Sequence, residues 1–325
     1  MHNLLELDEL KTSFFTRDGE VHSVRGVSFA LQAGEMVGIV GESGCGKSVT
    51  CKSVIQLLGN NGKITGGSVR FRGEDLARKT PEQMRRIRGN DIAMIFQDPM
   101  TALNPVLTIG RQMTEILIRN KGLSKRDARA KAIEMLNLVG IAEADRRFDQ
   151  YPHEFSGGMR QRVMIAIALS CDPQLLIADE PTTALDVTIQ AQILRLLKAL
   201  QQQTGTAILL VTHDLGVVAQ VCSRVVVMYG GLVMEEGSVE DIFWRPAHPY
   251  TRGLLASLPQ PDDAGHRLSP IEGSPPGLLS PPTGCPFAQR CPQRMPQCDK
   301  QPPFYPRGEG HRTACWLWQD KEHQA

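Results

Sequence analysis

Eight consecutive residues near the start of the chain have the types and spacing of a phosphate-binding loop. They are Gly41-Glu42-Ser43-Gly44-Cys45-Gly46-Lys47-Ser48, directly behind the apolar run 36–40. In such a loop, glycines let backbone N–H groups turn toward a polyphosphate, while the lysine contacts the β- and γ-phosphates and the hydroxyl binds Mg²⁺. The sequence therefore predicts ATP or GTP binding, with Lys47 on the phosphates, Ser48 on Mg²⁺ and Val49 in a helix whose N-terminus completes the anion site. A chance match in a glycine-rich turn is the alternative.

Two carboxylates at the end of another apolar run could complete a phosphate-transfer site. Asp179 and Glu180 directly follow Leu175-Leu176-Ile177-Ala178. Behind a phosphate-binding loop, this pattern predicts that Asp179 holds Mg²⁺, directly or through water. Glu180 would polarise the attacking water and accept its proton. Adjacent acids at a strand end are common by chance, so this prediction depends on the loop.

Four of the eight cysteines are concentrated near the C-terminus and could bind a metal centre. They are Cys285, Cys291, Cys298 and Cys315, separated by five, six and sixteen residues. Four thiolates are the number that a [4Fe–4S] cluster takes. Structural zinc more often uses a close C-x₂₋₄-C pair. We favour the cluster, and leave zinc, two disulfides or unmodified thiols as alternatives.

The elements that must position these groups alternate between strand and helix. Strand-length apolar runs occur at 36–40, 92–96, 175–180 and 207–212, and helical patterns at 49–58, 156–170 and 187–202. This order predicts an α/β fold with a mostly parallel sheet. Helical periods between 108 and 155 predict a helical insert. The N-terminal runs 4–10 and 24–31, with a turn at 17–20, predict two further strands.

Composition excludes several other classes of function. The 325 residues carry a net charge of +1, so no strongly basic surface points to nucleic acid. No apolar run reaches the eighteen or so residues needed to cross a bilayer. The first residues lack the basic and apolar regions of an export signal. We therefore expect a cytosolic chain, in which disulfides are rare.

Taken together, these motifs resemble the ATP-binding subunit of ABC transporters over residues 4–258. The diagnostic element is the signature sequence Phe155-Ser156-Gly157-Gly158-Met159, which other phosphate-loop ATPases lack. The resemblance implies an ABC-type nucleotide-binding domain with a RecA-like parallel-sheet core, an antiparallel β subdomain and a helical subdomain at about 108–160. We expect this domain to span 1–258, followed by an irregular Pro- and Cys-rich extension over 259–325.

The resemblance also implies roles for single residues. Gln97 would sense Mg²⁺ and water and couple the site to membrane subunits, and His213 would lie near the γ-phosphate. Ser156, Gly157, Gly158 and Met159 would contact the nucleotide of a partner subunit, and Asp186 would lie in the loop between paired subunits. Met159 replaces the usual glutamine of the family. Of the adjacent rings Phe14 and Phe15, we take Phe14 as the one that could stack on the base; packing within the sheet is the alternative.

Two longer stretches narrow the resemblance to the peptide/nickel/opine uptake branch, closest to its D-type dipeptide and oligopeptide subunits. They are residues 95–105 and 178–188, supported by His248-Pro249-Tyr250-Thr251 before the Pro-rich tail. D-type subunits of this branch can carry a [4Fe–4S] cluster in this tail, which agrees with the four cysteines.

The branch implies an ATPase that drives import of di- or oligopeptides or a related solute from the cytoplasmic face of the inner membrane. Its partners would be a second, different ATPase subunit, two permeases and an extracytoplasmic solute-binding protein. The alternative is a soluble ABC ATPase acting on nucleic acid or ribosomes with a zinc-type tail. A single cassette without a basic stripe argues against that alternative.

Overall fold

The computed structural model describes residues 3–97, 102–183, 185–258 and 271–321. The chain forms two compact units. Unit 1 comprises Met1–Gln32, Met36–Arg78 and Val211–Ala325, and unit 2 comprises Ala33–Glu35 and Lys79–Leu210. Among the described residues, no helix combines the length and the apolar character needed to cross a membrane.

The strands, numbered in chain order, are β1 (Asn3–Thr16), β2 (Gly19–Gln32), β3 (Met36–Val40), β4 (Gly62–Phe71), β5 (Glu74–Asp75), β6 (Ile92–Ile95), β7 (Leu175–Asp179), β8 (Ala207–Val211), β9 (Arg224–Tyr229), β10 (Leu232–Ser238), β11 (Tyr305–Gly308) and β12 (His311–Thr313). The α-helices are α1 (Lys47–Val54), α2 (Pro81–Ile87), α3 (Ile109–Lys121), α4 (Lys125–Leu138), α5 (Ala144–Arg147), α6 (Gly157–Leu169), α7 (Val187–Thr204), α8 (Leu215–Val221), α9 (Val239–Trp244) and α10 (Pro249–Ala256).

The N-terminal part of unit 1 is an antiparallel sheet with strand order β2-β1-β4-β5. Strands β1 and β2 are longer than the predicted runs 4–10 and 24–31, because pairing continues through polar residues up to Thr16 and Gly19. One of these polar residues, Thr12, is buried and its hydroxyl lies 2.8 Å from that of Ser53 in α1. Each hydroxyl thus gives the other a hydrogen-bond partner. Thr12 lies in a part of β1 where apolar and polar residues no longer alternate.

The remaining strands of unit 1 follow the order β11-β12-β10-β9-β3. Strand β3 runs parallel to β9, with Val40 opposite Val227. Strand β10 pairs antiparallel with both β9 and β12. The C-terminal extension thus contains a short β-ladder, and its Phe287 packs in the same apolar core as Val40 and Tyr250. The predicted domain boundary after residue 258 falls at the edge of residues 259–270, outside the described part of the chain, and stays a prediction.

Unit 2 contains strands in the order β8-β7-β6, and β6 and β7 are parallel. Every residue of β7 and β8 is buried, as expected for strands of a parallel sheet. Helices α3 and α4 occupy the stretch where helical periods predict an insert. Helix α3 lies very close to Phe148, since a Cβ at Gly110 would come within 2.1 Å of that ring.

Helix α1 is shorter than the predicted helix over 49–58. It begins at Lys47 and ends at Val54. Gln56 has a φ of 49°, in the left-handed region, which stops further helical turns. The chain then enters β4 at Gly62.

Candidate nucleotide site and cysteine cavity

The predicted site residues divide between the two units. Unit 1 contains Phe14, residues 41–49, His213 and the four C-terminal cysteines, and unit 2 contains Gln97, residues 156–159, Asp179, Glu180 and Asp186.

The phosphate loop connects the buried strand β3 to helix α1, and three of its glycines have positive φ. These angles are 149° at Gly41, 78° at Gly44 and 100° at Gly46. A Cβ on Gly41 would lie 2.2 Å from the Met228 carbonyl oxygen, and one on Gly46 would lie 2.4 Å from that of Ser23. The loop path is therefore available only to glycine at these two positions. A Cβ on Gly44 would meet nothing within 4 Å, so this part of the loop borders open space.

Lys47 folds back over the loop. Its Nζ donates to the carbonyl oxygens of Gly41, at 2.7 Å, and Glu42, at 3.0 Å, and the residue is only 5 % exposed. Among the described residues, no side chain caps the N-terminus of α1, which follows Gly46. An ammonium group, loop amides and an uncapped helix start together form the kind of site that binds phosphate.

The loop contains one thiol, that of Cys45, and its pKa is shifted. Burial raises the pKa of Cys45, although the Lys47 ammonium opposes this effect. The thiol therefore stays neutral in the loop and adds no negative charge to an anion site.

In unit 2, β7 ends at the buried Asp179, and Glu180 follows with a φ of 48°. This left-handed conformation is strained for a residue with a side chain. Oε2 of Glu180 accepts hydrogen bonds from Nε2 of Gln97, at 3.1 Å, and from the Thr183 hydroxyl, at 2.9 Å. The structure thus brings two predicted catalytic side chains into contact and adds Thr183, which no sequence motif indicated. The residues directly after Gln97, at 98–101, lie outside the described residues.

The signature sequence forms the start of helix α6. The Ser156 hydroxyl accepts from the Met159 backbone N–H at 3.3 Å and caps the helix. A Cβ on Gly158 would lie 2.8 Å from Cγ2 of Ile189, so packing inside unit 2 requires glycine there. A Cβ on Gly157 would come no closer than 3.7 Å, to Leu185. Nothing in the described part of unit 2 requires Gly157 to lack a side chain.

The remaining predicted site residues lie at element boundaries. Asp186 caps α7 by accepting from the Ile189 N–H at 2.9 Å. His213 is exposed and follows β8 in the chain. Phe15 is 46 % exposed, with Nζ of Lys63 5.8 Å from its ring centroid. The Phe14 ring instead packs against Gly62, where a Cβ would meet it at 2.8 Å. Phe15 is thus more exposed than Phe14, the ring predicted to stack on the base.

The four C-terminal cysteines line one narrow cavity, together with His248, Met295 and Trp316 among others. Cys285 and Cys298 are joined through the backbone, since the Cys285 N–H donates to the Cys298 carbonyl at 2.9 Å. Burial first, and then the neighbouring thiols, raise the pKa of Cys285 to about 12 and that of Cys315 to about 11. None of the eight cysteines, all of which are described, forms a disulfide. Within the described residues, no three Cys, His, Asp or Glu side chains are arranged to hold a single metal ion.

Arg290 and Tyr250 contact the phosphate loop and were missed by sequence reasoning. The Tyr250 hydroxyl accepts from the Glu42 N–H at 2.9 Å, and the Arg290 guanidinium forms an ion pair with the Glu42 carboxylate. Both residues lie more than 200 positions beyond the loop. Tyr250 belongs to the quoted His248–Thr251 motif, but nothing in the spacing of either residue indicates the contact.

Known proteins share both the sequence pattern and the fold. The pattern of the family described as "ABC transporter" matches residues 24–183, and that described as "Oligopeptide/dipeptide transporter, C-terminal region" matches residues 234–298. The dipeptide transport ATP-binding protein DppD of Bacillus subtilis is 55% identical, over 100% of this chain and 98% of its own length. The oligopeptide transport ATP-binding protein OppD of Salmonella typhimurium is 50% identical, over 96% and 93%.

A solved structure confirms the predicted fold class. The ATP-binding cassette MJ0796, in a dimeric state bound to ADP and Pi, superimposes with a TM-score of 0.65 and 29% identity, over 72% of this chain and 98% of that one. The fold is that of an ABC ATPase, with an α/β core, an antiparallel sheet and helices. From this fold and the full-length similarity, we conclude that the chain belongs to the ATP-binding proteins of ABC transporters, in the branch of the dipeptide and oligopeptide transport proteins.

Proposed function

We propose that this chain is the ATP-hydrolysing subunit of an importer for di- or oligopeptides or a related peptide-like solute. The observation that carries this proposal is similarity over the whole chain, including the C-terminal region, to proteins named for dipeptide and oligopeptide transport. Membership of the family makes the chain an ATPase. No motif, charge pattern or relative supports the alternative of an ATPase acting on nucleic acid.

The phosphate loop binds the ATP phosphates. The Lys47 ammonium, which the loop carbonyls now hold, moves to the β- and γ-phosphate oxygens, and the loop amides and the start of α1 bind the remaining oxygens. The loop fits this role because its glycines fix the path and Gly44 borders open space. Phe14, or its more exposed neighbour Phe15, stacks on the adenine ring.

Two acids and a glutamine carry the hydrolytic chemistry. Ser48, Asp179 and Gln97 would hold Mg²⁺, which would supply positive charge to neutralise the phosphates. Glu180 orients the attacking water and accepts its proton. As the water oxygen bonds to the γ-phosphorus, the bond from this phosphorus to the β–γ bridging oxygen breaks and ADP leaves. The strained backbone and the Thr183 hydroxyl hold the Glu180 carboxylate in place. His213 contacts the γ-phosphate.

The signature sequence serves the nucleotide of a second ATPase subunit. Gly157 supports this assignment, because its lack of a side chain meets no packing need in the described part of unit 2. Ser156, Gly158 and Met159 present the start of α6 to the partner's phosphates, and Asp186 lies in the connection between subunits. We place a different ATPase chain, rather than a second copy, in this position.

Two permease subunits and an extracytoplasmic solute-binding protein complete the transporter, with this chain on the cytoplasmic face of the membrane. ATP binding closes the paired ATPases, and the segment after Gln97 transmits closure to the permeases.

We further propose that Cys285, Cys291, Cys298 and Cys315 bind a [4Fe–4S] cluster. All four line one cavity, and no disulfide competes for them. Among the described residues, no group of three or more Cys, His, Asp or Glu side chains is arranged to hold a metal ion, so the proposal rests on the number of these cysteines and on their shared cavity. A cluster places each thiolate on a different iron. When bound, the cluster would cross-link the tail, a structural role.

The test of the transport function is reconstitution of the full complex, with permeases and binding protein, in vesicles. Dipeptides and longer peptides should stimulate ATP hydrolysis. They should also accumulate in the vesicle interior, with the binding protein on the outside of the membrane. An amino acid or a sugar serves as the matched solute control. ATPase activity that responds to DNA or ribosomes, and to no peptide, would contradict the proposal.

A further inference from the structure

A buried arginine of the C-terminal extension contacts the phosphate loop at two points. Nη1 of Arg290 lies 2.6 Å from Oε2 of Glu42, and Nη2 lies 3.0 Å from Oε1 of the same carboxylate. The Arg290 side chain is 5 % exposed. Paired, parallel bonds of this kind fix both distance and orientation.

The other contacts of Arg290 hold the guanidinium in one position. Nη1 also donates to the Tyr229 hydroxyl at 3.0 Å, Nη2 donates to the Ile271 carbonyl at 2.9 Å, and Nε donates to the Glu272 carbonyl at 2.8 Å. A lysine ammonium cannot reproduce this planar set of donors. The site is therefore built for arginine.

The backbone of Glu42 is held from the same side. Its N–H donates to the hydroxyl of Tyr250, whose ring centroid lies 4.6 Å from that of Tyr229 and 5.2 Å from that of Phe287. Side chain and backbone of one loop residue are thus anchored on a packed aromatic cluster. This anchoring fixes where the loop begins its turn after β3.

The charge on Glu42 gives the contact with Arg290 a further effect. Nζ of Lys47 lies 3.0 Å from the Glu42 carbonyl oxygen, so this residue is part of the loop that surrounds the phosphates. An unpaired carboxylate in a loop that binds a polyanion would repel it. Arg290 neutralises the carboxylate and holds it at two points.

We propose that Arg290 is a positioning residue for ATP, which acts through Glu42 to set the orientation and the charge of the phosphate loop. This role rests on the proposed ATP binding by residues 41–48. Arg290 itself touches neither nucleotide nor reacting atoms.

The test compares Arg290→Gln with Arg294→Gln in the full-length chain. Arg294 pairs with Asp299 on the surface, where the two side chains are 53 % and 70 % exposed, so it is a matched control. We expect Arg290→Gln to weaken binding of a fluorescent ATP analogue by about tenfold or more, as for a buried charge left without its partner, and Arg294→Gln to bind like the wild type. In the assembled complex, KM for ATP should rise while kcat changes less than threefold.

Neutralising Glu42 separates this role from a merely structural one. In the double variant Glu42→Gln/Arg290→Gln, affinity should return to within about threefold of Glu42→Gln alone, because the repelling charge is gone. An arginine that only holds the tail in place would give no such rescue. Arg290→Lys keeps a positive charge without the two-point contact and should show an intermediate KM; it serves as the test if Arg290→Gln does not fold.

Wild-type affinity in folded Arg290→Gln, or in Arg290→Lys, would overturn the inference, as would a double variant as weak as Arg290→Gln. If the wild-type chain itself failed to bind the analogue, the proposed function would fall, which is a distinguishable result.

Discussion

Glu180 occupies a backbone conformation that residues with a side chain rarely adopt, directly after β7. Such strain is maintained only where the surroundings hold it, here with hydrogen bonds from Gln97 and Thr183. Both donors satisfy the same oxygen, Oε2. The carboxylate is therefore oriented before any nucleotide arrives, which suits a group that must receive a proton at a fixed point.

Replacing Glu180 by glutamine should lower the kcat of the assembled complex by about 10²–10⁴-fold, because an amide cannot accept the proton of water. ATP should still bind, since the substitution leaves the phosphate loop intact. Turnover by the reconstituted complex and binding of ATP are the measurements. Glu82→Gln, at an exposed surface ion pair of α2, is the control and should behave as the wild type. Near-normal turnover by Glu180→Gln would refute the assignment.

The Thr183 hydroxyl offers a second test at the same site. Thr183→Val keeps the shape but removes the donor 2.9 Å from Glu180. We expect kcat to fall by about tenfold, less than for loss of the base itself, with KM for ATP unchanged, because only the orientation of the carboxylate is affected. Equal kcat values for Thr183→Val and the wild type would show that the Thr183 hydroxyl is not needed to position Glu180.

Two adjacent glycines at the start of helix α6 have different surroundings. A side chain on Gly158 would collide with Ile189 of α7, whereas one on Gly157 has room within unit 2. The same two-residue stretch therefore contains one glycine that packing explains and one that packing leaves unexplained. The nucleotide of a partner subunit, as proposed above, would explain the second.

Gly158→Ala should lower the free energy of unfolding by about 1–3 kcal/mol through overpacking, and Gly157→Ala should leave it unchanged. Gly157→Ala should instead block ATP-driven pairing of the ATPase subunits while the isolated chain keeps its ATP affinity. Thermal unfolding and light scattering with and without ATP are the measurements. Weaker ATP binding by the isolated Gly157→Ala chain would indicate a site within one chain.

The ends of strands and helices are where sequence patterns predict the structure least well. The apolar runs located β3, β7 and β8 closely, because buried parallel strands consist of apolar residues throughout. Strands β1 and β2 extend further, since their outer halves are held by pairing and by polar contacts such as that of Thr12. Helix α1 ends early, at Val54, two residues before the left-handed Gln56, a residue type that carries no stop signal.

At the scale of the molecule, the phosphate loop was predictable because its residues are consecutive and glycine is required at fixed positions. The Glu42–Arg290 pair was not, because its partners are 248 positions apart and each resembles an ordinary surface charge in the sequence. The four cysteines were recognisable from their number. Their shared cavity depends on how the tail, through Phe287, packs with Tyr250, which no local pattern encodes.

The cluster proposal predicts that Cys298→Ser lowers the iron content of anaerobically purified protein from about four per chain and removes its brown colour. Cys298 is buried in the shared cavity, whereas Cys222 lies outside it, so Cys222→Ser should keep its iron. Thermal unfolding should occur at lower temperature only in the first variant, because the cluster stabilises the fold that it binds. Stoichiometric zinc, or no metal, in the wild type would contradict the proposal.

Unit 1 contains both ends of the chain, and this has a consequence for the order of events on the ribosome. Strand β3 and the phosphate loop leave the exit tunnel before β9, Tyr250 and Arg290, which contact them and are synthesised much later. Most of unit 2, residues 79–210, is one continuous stretch and can form while translation continues. A nascent chain thus lacks the partners of its phosphate loop until Arg290 has been made, and a ribosome that stops before Arg290 releases a polypeptide with unit 1 unfinished.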